Sequence, residues 1–278
     1  MKMATSTGYP FVHHPCYSEI RQSLWHRIHL PVASRCNVKC AFCSHSLGSS
    51  CHTSMPGTSS MILTPEVAAA RATSEIKRNP LLRIVAISGP GEPLASKETF
   101  ETLKMIRRNH KEIPFCMSTN GILLEKYVDW LVGMKVETIS VSMSTLNSRT
   151  ASRIYEWAEF GDGLMKGRKM GSRIVESQLL GIARASRAGI FVKVNSILIP
   201  ELNMYDIKPL AKEISKAGAT LQNIVPLIPN DKLSSCRSPT REEVRKARSE
   251  ASVFIKQFSH CKQCRSDVVG IPGCDEVL

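Results

Sequence analysis

The 278-residue sequence contains no uncharged apolar run that approaches the roughly 18 residues needed to span a bilayer. Its start, residues 1–16, is polar and rich in Ser, Thr, His and Pro, and it lacks the apolar h-region of a secretory signal. There is no tandem repeat and no low-complexity linker. Basic residues outnumber acidic ones, 37 against 24, yet no long basic run concentrates them. Arg71, Lys77, Arg78, Lys104, Arg107, Arg108, Lys166, Arg168, Lys169 and Arg173 are scattered as solvated helix faces would scatter them. The net charge of +13 is therefore not read as a nucleic-acid footprint. What is left is a folded, cytoplasmic chain with 42% hydrophobic residues and no membrane partner. In that reducing compartment ten cysteines need a use other than disulfides, and metal binding or redox chemistry comes first. Thiolates held on a metal would also lower the formal charge.

A short β-branched run followed by an amphipathic helical stretch recurs along the chain. The runs are 28–32, 82–88, 113–118, 136–143, 191–199 and 221–227. Helices are expected near 65–78, 97–110, 122–132, 173–187 and 204–217, with a last one at 239–258. Thr64-Pro65-Glu66 offers an N-cap, a proline at the first helical position and an early acid; Ser238-Pro239 repeats the device. Gly189 reads as a stop. Alternating strands and helices imply an α/β fold with parallel pairing through right-handed crossovers. Six units are too few to close an eight-stranded barrel. An open partial (β/α)6 barrel or a doubly wound sheet fits, and in either the ligands collect at the carboxyl ends of the strands.

The unusual residues sit at those ends. After the first run the chain reads Cys36-Asn37-Val38-Lys39-Cys40-Ala41-Phe42-Cys43. Three thiolates at this spacing can hold three irons of a [4Fe–4S] cube and leave the fourth iron open for a substrate. A zinc knuckle with a distant fourth ligand would use the same triplet. After the second run comes Ser88-Gly89-Pro90-Gly91-Glu92-Pro93. Glycines let a backbone approach a ligand closely, and Glu92 can accept from an ammonium group. Together, and with the aromatic Phe42 before the third cysteine, these segments resemble the radical S-adenosylmethionine (SAM) enzymes. The resemblance implies a TIM-type partial barrel, a SAM-cleaving cluster on Cys36, Cys40 and Cys43, and SAM contacts from Gly89, Gly91 and Glu92. It also implies SAM contacts from Ser118, Asn120, Ser142 and Asn195, each of which would alone read as a turn or cap residue.

Seven cysteines remain: Cys16, Cys51, Cys116, Cys236, Cys261, Cys264 and Cys274. Cys261-x-x-Cys264 is a metal motif in its own right. His29 lies between Ile28 and Leu30, so on a strand it points away from those apolar neighbours. Cys116 is expected to end the third strand, at the ligand-binding rim. Over almost the whole chain, His14-Pro15-Cys16, Arg27-Ile28-His29, Cys51 with Pro56-Gly57, Tyr155-Glu156-Trp157, Glu176-Ser177-Gln178 and Cys261-x-x-Cys264-Arg265 resemble the NifB family of radical SAM enzymes. Some members of that family carry a NifX-like carrier domain; the likeness here is to the form without it.

That resemblance implies three [4Fe–4S] clusters, the second on Cys16, His29 and Cys116 and the third on Cys51, Cys261 and Cys264. A neutral imidazole leaves more readily than a thiolate, which suits a cluster whose ligand must be exchanged. Cys236 and Cys274 match no ligand position. The organisation implied is an amino-terminal cluster-binding extension (1–26), a barrel (27–235) and a helix with a Cys-x-x-Cys tail over the barrel mouth (236–278). The implied activity fuses two [4Fe–4S] clusters around a SAM-derived carbide, with an added sulfur, into the eight-iron precursor of the nitrogenase cofactor. A cluster donor, an electron donor and a carrier or scaffold protein would be its partners, and the chain would be monomeric. A radical SAM RNA methyltransferase and a peptide-modifying enzyme share the cysteine loop, and a non-catalytic iron–sulfur scaffold or zinc protein shares the thiols.

Overall fold

In the computed structural model, which describes residues 13–18, 23–43 and 58–278, the chain opens with β1 (His26–His29) and a short β2 (Val38–Cys40). Helix and strand then alternate through α1 (Pro65–Arg78), β3 (Leu82–Ile87), α2 (Lys97–Asn109), β4 (Phe115–Thr119), α3 (Leu124–Gly133) and β5 (Val136–Ser142). An insertion of α4 (Ser148–Ile154), β6 (Tyr155–Glu159) and β7 (Leu164–Met165) precedes α5 (Gly167–Arg187) and β8 (Phe191–Leu198). A single turn, α6 (Pro200–Asn203), then leads into α7 (Ile207–Lys216) and β9 (Leu221–Pro226). The tail adds α8 (Arg241–Ser252) and a hairpin of β10 (Val268–Ile271) and β11 (Cys274–Val277). No helix among the described residues is long and apolar enough to cross a membrane.

Local chemistry sets these boundaries. Thr64 caps α1 by accepting from the Val67 amide, with Pro65 at the first helical position. The last helix begins two residues beyond the Ser238-Pro239 signal. There Thr240 and Glu243 form a reciprocal capping box, which satisfies two amides where the proline pair satisfies none. It also ends at Ser252, short of the expected 258, and Ile255 and Phe258 are buried by a non-helical segment.

The main sheet runs β11-β10-β1-β3-β4-β5-β8-β9. Six of these strands, β1, β3, β4, β5, β8 and β9, are parallel and follow one another in that order from the middle of the sheet to one edge. A doubly wound sheet reverses its order at a switch point; this one does not. With right-handed crossovers and no reversal, the crossover helices fall on one face, and the sheet is an open partial barrel. One set of alternating strand residues, such as Ile28, Val85, Met117, Ile139 and Val194, packs on Ala72, Leu103, Val128, Ile182 and Leu210 of the helices.

The other set faces the concave side. Ile84, Ala86, Cys116 and Leu221 meet Tyr17 there, with Cys16 against them. Cys116 is the second residue of β4, not the last. The expectation that it ends the strand is corrected: β4 starts at Phe115 and carries on to Thr119, so Cys116 lies inside the barrel, below the rim.

The tail joins the two sheet edges. Helix α8 packs on α7 and β9, and the Phe258 amide donates to the Gln222 carbonyl at 2.7 Å. The chain then crosses the concave side to the far edge, where β10 pairs antiparallel with β1.

Candidate active site and the thiol-lined interior

The cysteine loop is held by backbone pairing. Strand β2 pairs with β6, with Cys40 opposite Tyr155, and β6 pairs with β7. The Ala41 amide donates to the Ile154 carbonyl at 2.8 Å, and the Glu159 amide to the Asn37 carbonyl at 2.8 Å. Lys39 binds the Cys43 carbonyl and reaches Asp231 at 2.5 Å. Cys36, Cys40 and Phe42 pack on a second apolar cluster that includes Val38, Ile154 and Met170. Burial pushes the Cys36 thiol up to about 12 and that of Cys40 well above the usual thiol range. Without a cation these thiols stay protonated. They suit a positively charged iron centre, which would hold them as thiolates and release their protons on binding.

The glycine segment clamps this loop from the other side. The Gly91 amide donates to the Ala33 carbonyl and the Glu92 amide to the Arg35 carbonyl, both at 2.7 Å. A Cβ on Gly91 would lie 2.2 Å from the Arg35 carbonyl oxygen. Gly91→Ala must therefore push two backbone segments apart, at a cost of about 1–3 kcal/mol. The expected outcome is a lower thermal midpoint for the unloaded chain, with weaker SAM binding by calorimetry.

Glu92 is only 3% exposed, and its carboxylate is already engaged. It accepts from Thr119 Oγ1 at 2.6 Å, the Asn120 amide at 2.6 Å and the Leu94 amide at 3.1 Å. Burial pushes its carboxyl up to about 7 against these three donors. Asn120 is engaged as well: its Nδ2 donates to Asn37 Oδ1 at 2.7 Å and its Oδ1 accepts from the Ile122 amide at 3.0 Å. Both residues tie the end of β4 to the cysteine loop. Of the remaining expected SAM contacts, Gly89 lies just beyond β3, and Ser118, Ser142 and Asn195 lie on strands. Ser142 is exposed and is the register partner of half-buried Asn195, whose Oδ1 accepts from Asn223 at 3.1 Å. Ser118 is half-buried, one same-face step above Cys116.

Below this polar band lie the other thiols. Cys16, Cys116, Cys261 and Cys264 are near enough for their charges to act on one another: Cys16 bears on Cys116 and Cys264, and Cys261 on Cys16. Burial pushes Cys116 and Cys264 up to about 12. Among the described residues no three such side chains converge on one ion. A cube makes a different demand, one ligand for each of several separate corners. Cys51 lies outside the described residues.

The ring of His29 is held by the tail and by β3's end. Its Nδ1 lies 2.9 Å from the Arg265 carbonyl, which can only accept, so Nδ1 carries the proton. The Ser88 hydroxyl lies 3.3 Å from the same nitrogen. Nε2 is then the free lone pair, the arrangement metal-bound histidines use. Burial, with Arg27 nearby, lowers the His29 pKa to about 4, so the ring is neutral at physiological pH.

Several neighbours, two of them within segments that carry the family resemblance, have no role assigned from the sequence. Gln178 donates to the Asn120 carbonyl at 2.9 Å and the Ser142 carbonyl at 2.8 Å, which ties the ends of β4 and β5 together. Its signal was a glutamine on the apolar face of a helix. Lys193 donates to the Cys16 carbonyl at 3.0 Å and lies 4.6 Å from the Tyr17 ring. Arg27 shares the strand face of His29, a period-two clue present in the sequence. Cys236 packs against the same apolar cluster as Cys36 and Cys40, and Cys274 is exposed.

Comparison with known proteins agrees with this geometry. Residues 30–214 match the model of the radical SAM superfamily. The chain is 40% identical to the FeMo cofactor biosynthesis protein NifB of Methanocaldococcus infernus, covering 95% of this chain and 87% of that protein. It is 40% identical to its namesake from Methanocaldococcus jannaschii, covering 93% and 86%. Among solved structures, Streptococcus suis SuiB bound to S-adenosylmethionine shares the fold, with a TM-score of 0.60 at 14% identity over 87% of this chain and 48% of that one. A cysteine loop at the end of the first parallel strand, a glycine segment clamped against it, and 40% identity along nearly the whole chain lead to one family: the chain belongs to the radical SAM superfamily and, within it, to the NifB family.

Proposed function

We propose that this chain is the radical SAM enzyme of FeMo cofactor biosynthesis that fuses two [4Fe–4S] clusters, with a SAM-derived carbide and an added sulfur, into an eight-iron precursor. The observation that carries this reading is the placement of Cys16, His29, Cys116, Cys261 and Cys264 together on the concave face, beneath the strand ends. A radical SAM RNA methyltransferase needs no such interior, and a peptide-modifying enzyme carries its extra clusters in a longer cysteine-rich tail. Cys36, Cys40 and Cys43 would hold the SAM-cleaving cluster, and Gly89, Gly91, Ser118, Ser142 and Asn195 would line the SAM site. Glu92 and Asn120 serve that site by fixing the loop, since their polar atoms are already bound within the chain.

When bound, the first cluster and SAM supply a transferable methyl group and, after one-electron reduction, a 5′-deoxyadenosyl radical that takes up a hydrogen atom. The chain's own part is to hold the substrates within reach and exclude water. Cys16, His29 and Cys116 hold one substrate cluster; Cys51, Cys261 and Cys264 hold the other. The amino-terminal extension and the tail, which supply three of the thiols on the concave face, wall that interior. The work needs a cluster donor, a one-electron donor, a sulfur source and a carrier for the product, and it belongs in the reducing cytoplasm with a monomeric chain.

Anaerobic reconstitution tests the reading. Three clusters amount to about twelve irons per chain. Saturation near four irons with one spectroscopic species would leave a plain radical SAM enzyme, and stoichiometric tetrahedral zinc would overturn the iron–sulfur assignment. Tight, salt-sensitive RNA binding would favour the methyltransferase alternative.

A further inference from the structure

Arg27 has no place in the chemistry described above, yet among the described residues it is the largest side chain that is completely buried, with 0% exposure. Taking a guanidinium out of water costs several kcal/mol unless charge and hydrogen bonds replace the solvent. Three partners do so here. Nη1 donates to the Gly270 carbonyl at 2.6 Å. Nη2 donates to Asp275 Oδ2 at 2.5 Å and to Cys264 Sγ at 3.0 Å. Nε has no partner among the described residues. One buried cation thus touches a carboxylate and a candidate cluster ligand, and it keeps a spare donor.

We propose that Arg27 is a positioning residue that sets both the tail and the reduction potential of the cluster held by Cys261 and Cys264. The proposal rests on the assignment of those two cysteines as ligands. A thiolate-held cube is anionic and gains a further negative charge on reduction. A buried cation hydrogen-bonded to its sulfur ligand therefore favours the reduced form, because net charge and hydrogen bonds to sulfur set such potentials. The planar fork matters as well. It binds Gly270 and Asp275 of the terminal hairpin with one group while it faces Cys264, so cluster ligand and hairpin are placed together. Asp275 opposes the field: it offsets the arginine charge, and only part of that charge acts on the sulfur. This gives the conserved-shape substitutions of the two partners opposite signs.

The test is an anaerobic redox titration of the fully loaded, full-length chain, followed by electron paramagnetic resonance. The relevant signal is the one that Cys264→Ala removes. Arg27→Met should move its midpoint to a more negative potential, and Asp275→Asn should move it to a more positive one. Arg27→Lys, which keeps the charge and loses the fork, should fall between Met and the unaltered chain. The SAM-dependent signal of the Cys36, Cys40 and Cys43 cluster should move less in all three. A purely structural arginine would give shifts of one sign or none, and either result overturns the proposal. If Arg27→Met does not fold, Asp275→Asn decides: a positive shift supports the proposal, and no shift or a negative one overturns it. A Cys264→Ala chain that keeps every signal would overturn the ligand assignment and the proposal with it. An assigned signal that none of the variants moves overturns the proposal alone.

Discussion

Changing Cys261 and Cys264 together to Ala should remove about four of about twelve irons and abolish methyl transfer from labelled SAM, while reductive SAM cleavage persists. The tail does not depend on its thiols for docking. Strand β10 pairs with β1 through Arg27 and Ile28, the Ser266 amide donates to the Thr58 carbonyl at 2.9 Å, and Asp267 accepts from the Ser60 amide at 2.7 Å. Asp267 is also bound by Arg265 at 2.7 Å, and the Leu278 amide donates to its carbonyl at 2.9 Å. The double variant should therefore fold and keep the loop that carries Cys36, Cys40 and Cys43, which is braced by β6 at a separate site. What disappears is one substrate position. Iron content and label incorporation, measured on the same sample, decide the matter. Unchanged iron with unchanged labelling would mean that the tail is only structural.

Cys40→Ala should have the converse effect. Formation of 5′-deoxyadenosine should fall to background, and about eight irons should remain. A cube that loses one of three protein thiolates loses its anchor and the open iron that SAM needs. The rest of the molecule has little reason to change. Cys40 is placed by main-chain pairing with Tyr155, and removing one sulfur from a partly buried site costs on the order of 1 kcal/mol. Near-normal 5′-deoxyadenosine production by Cys40→Ala would move the active site elsewhere.

The fold was largely legible because each parallel strand is a β-branched run and each helix keeps an apolar stripe. Each of the six parallel strands and each main helix overlaps the run that predicts it, with ends displaced by up to six residues. The small β2-β6-β7 sheet was not legible, since its strands are two to five residues long and owe their extended state to pairing rather than to composition. The terminal hairpin was missed for a related reason: Val268 and Val269 are buried against β1, but only the pairing shows it. Within the site, the spacing of Cys36, Cys40 and Cys43 marks a metal loop in the sequence. The hydrogen bonds of Glu92 and Asn120 carry no such mark. A sequence shows that a carboxylate sits beside glycines, not that its oxygens are already occupied by Thr119, Leu94 and Asn120. Cys116 was misplaced because the run at 113–118 carries no mark of where pairing begins.

The contact between Arg27 and Gly270 spans 243 residues of chain. Loop closure over such a separation is slow, so the parallel strands are expected to form before the hairpin reaches β1. Until then β1 is a bare sheet edge, and a cation destined for burial has no counter-ion. The order of events follows from the topology. The thiols of Cys16 and Cys116 belong to an interior that stays open on one flank until the hairpin of β10 and β11 docks on β1. A chain cut short before Val268 would keep every ligand named above and still lack the seam that seals them in.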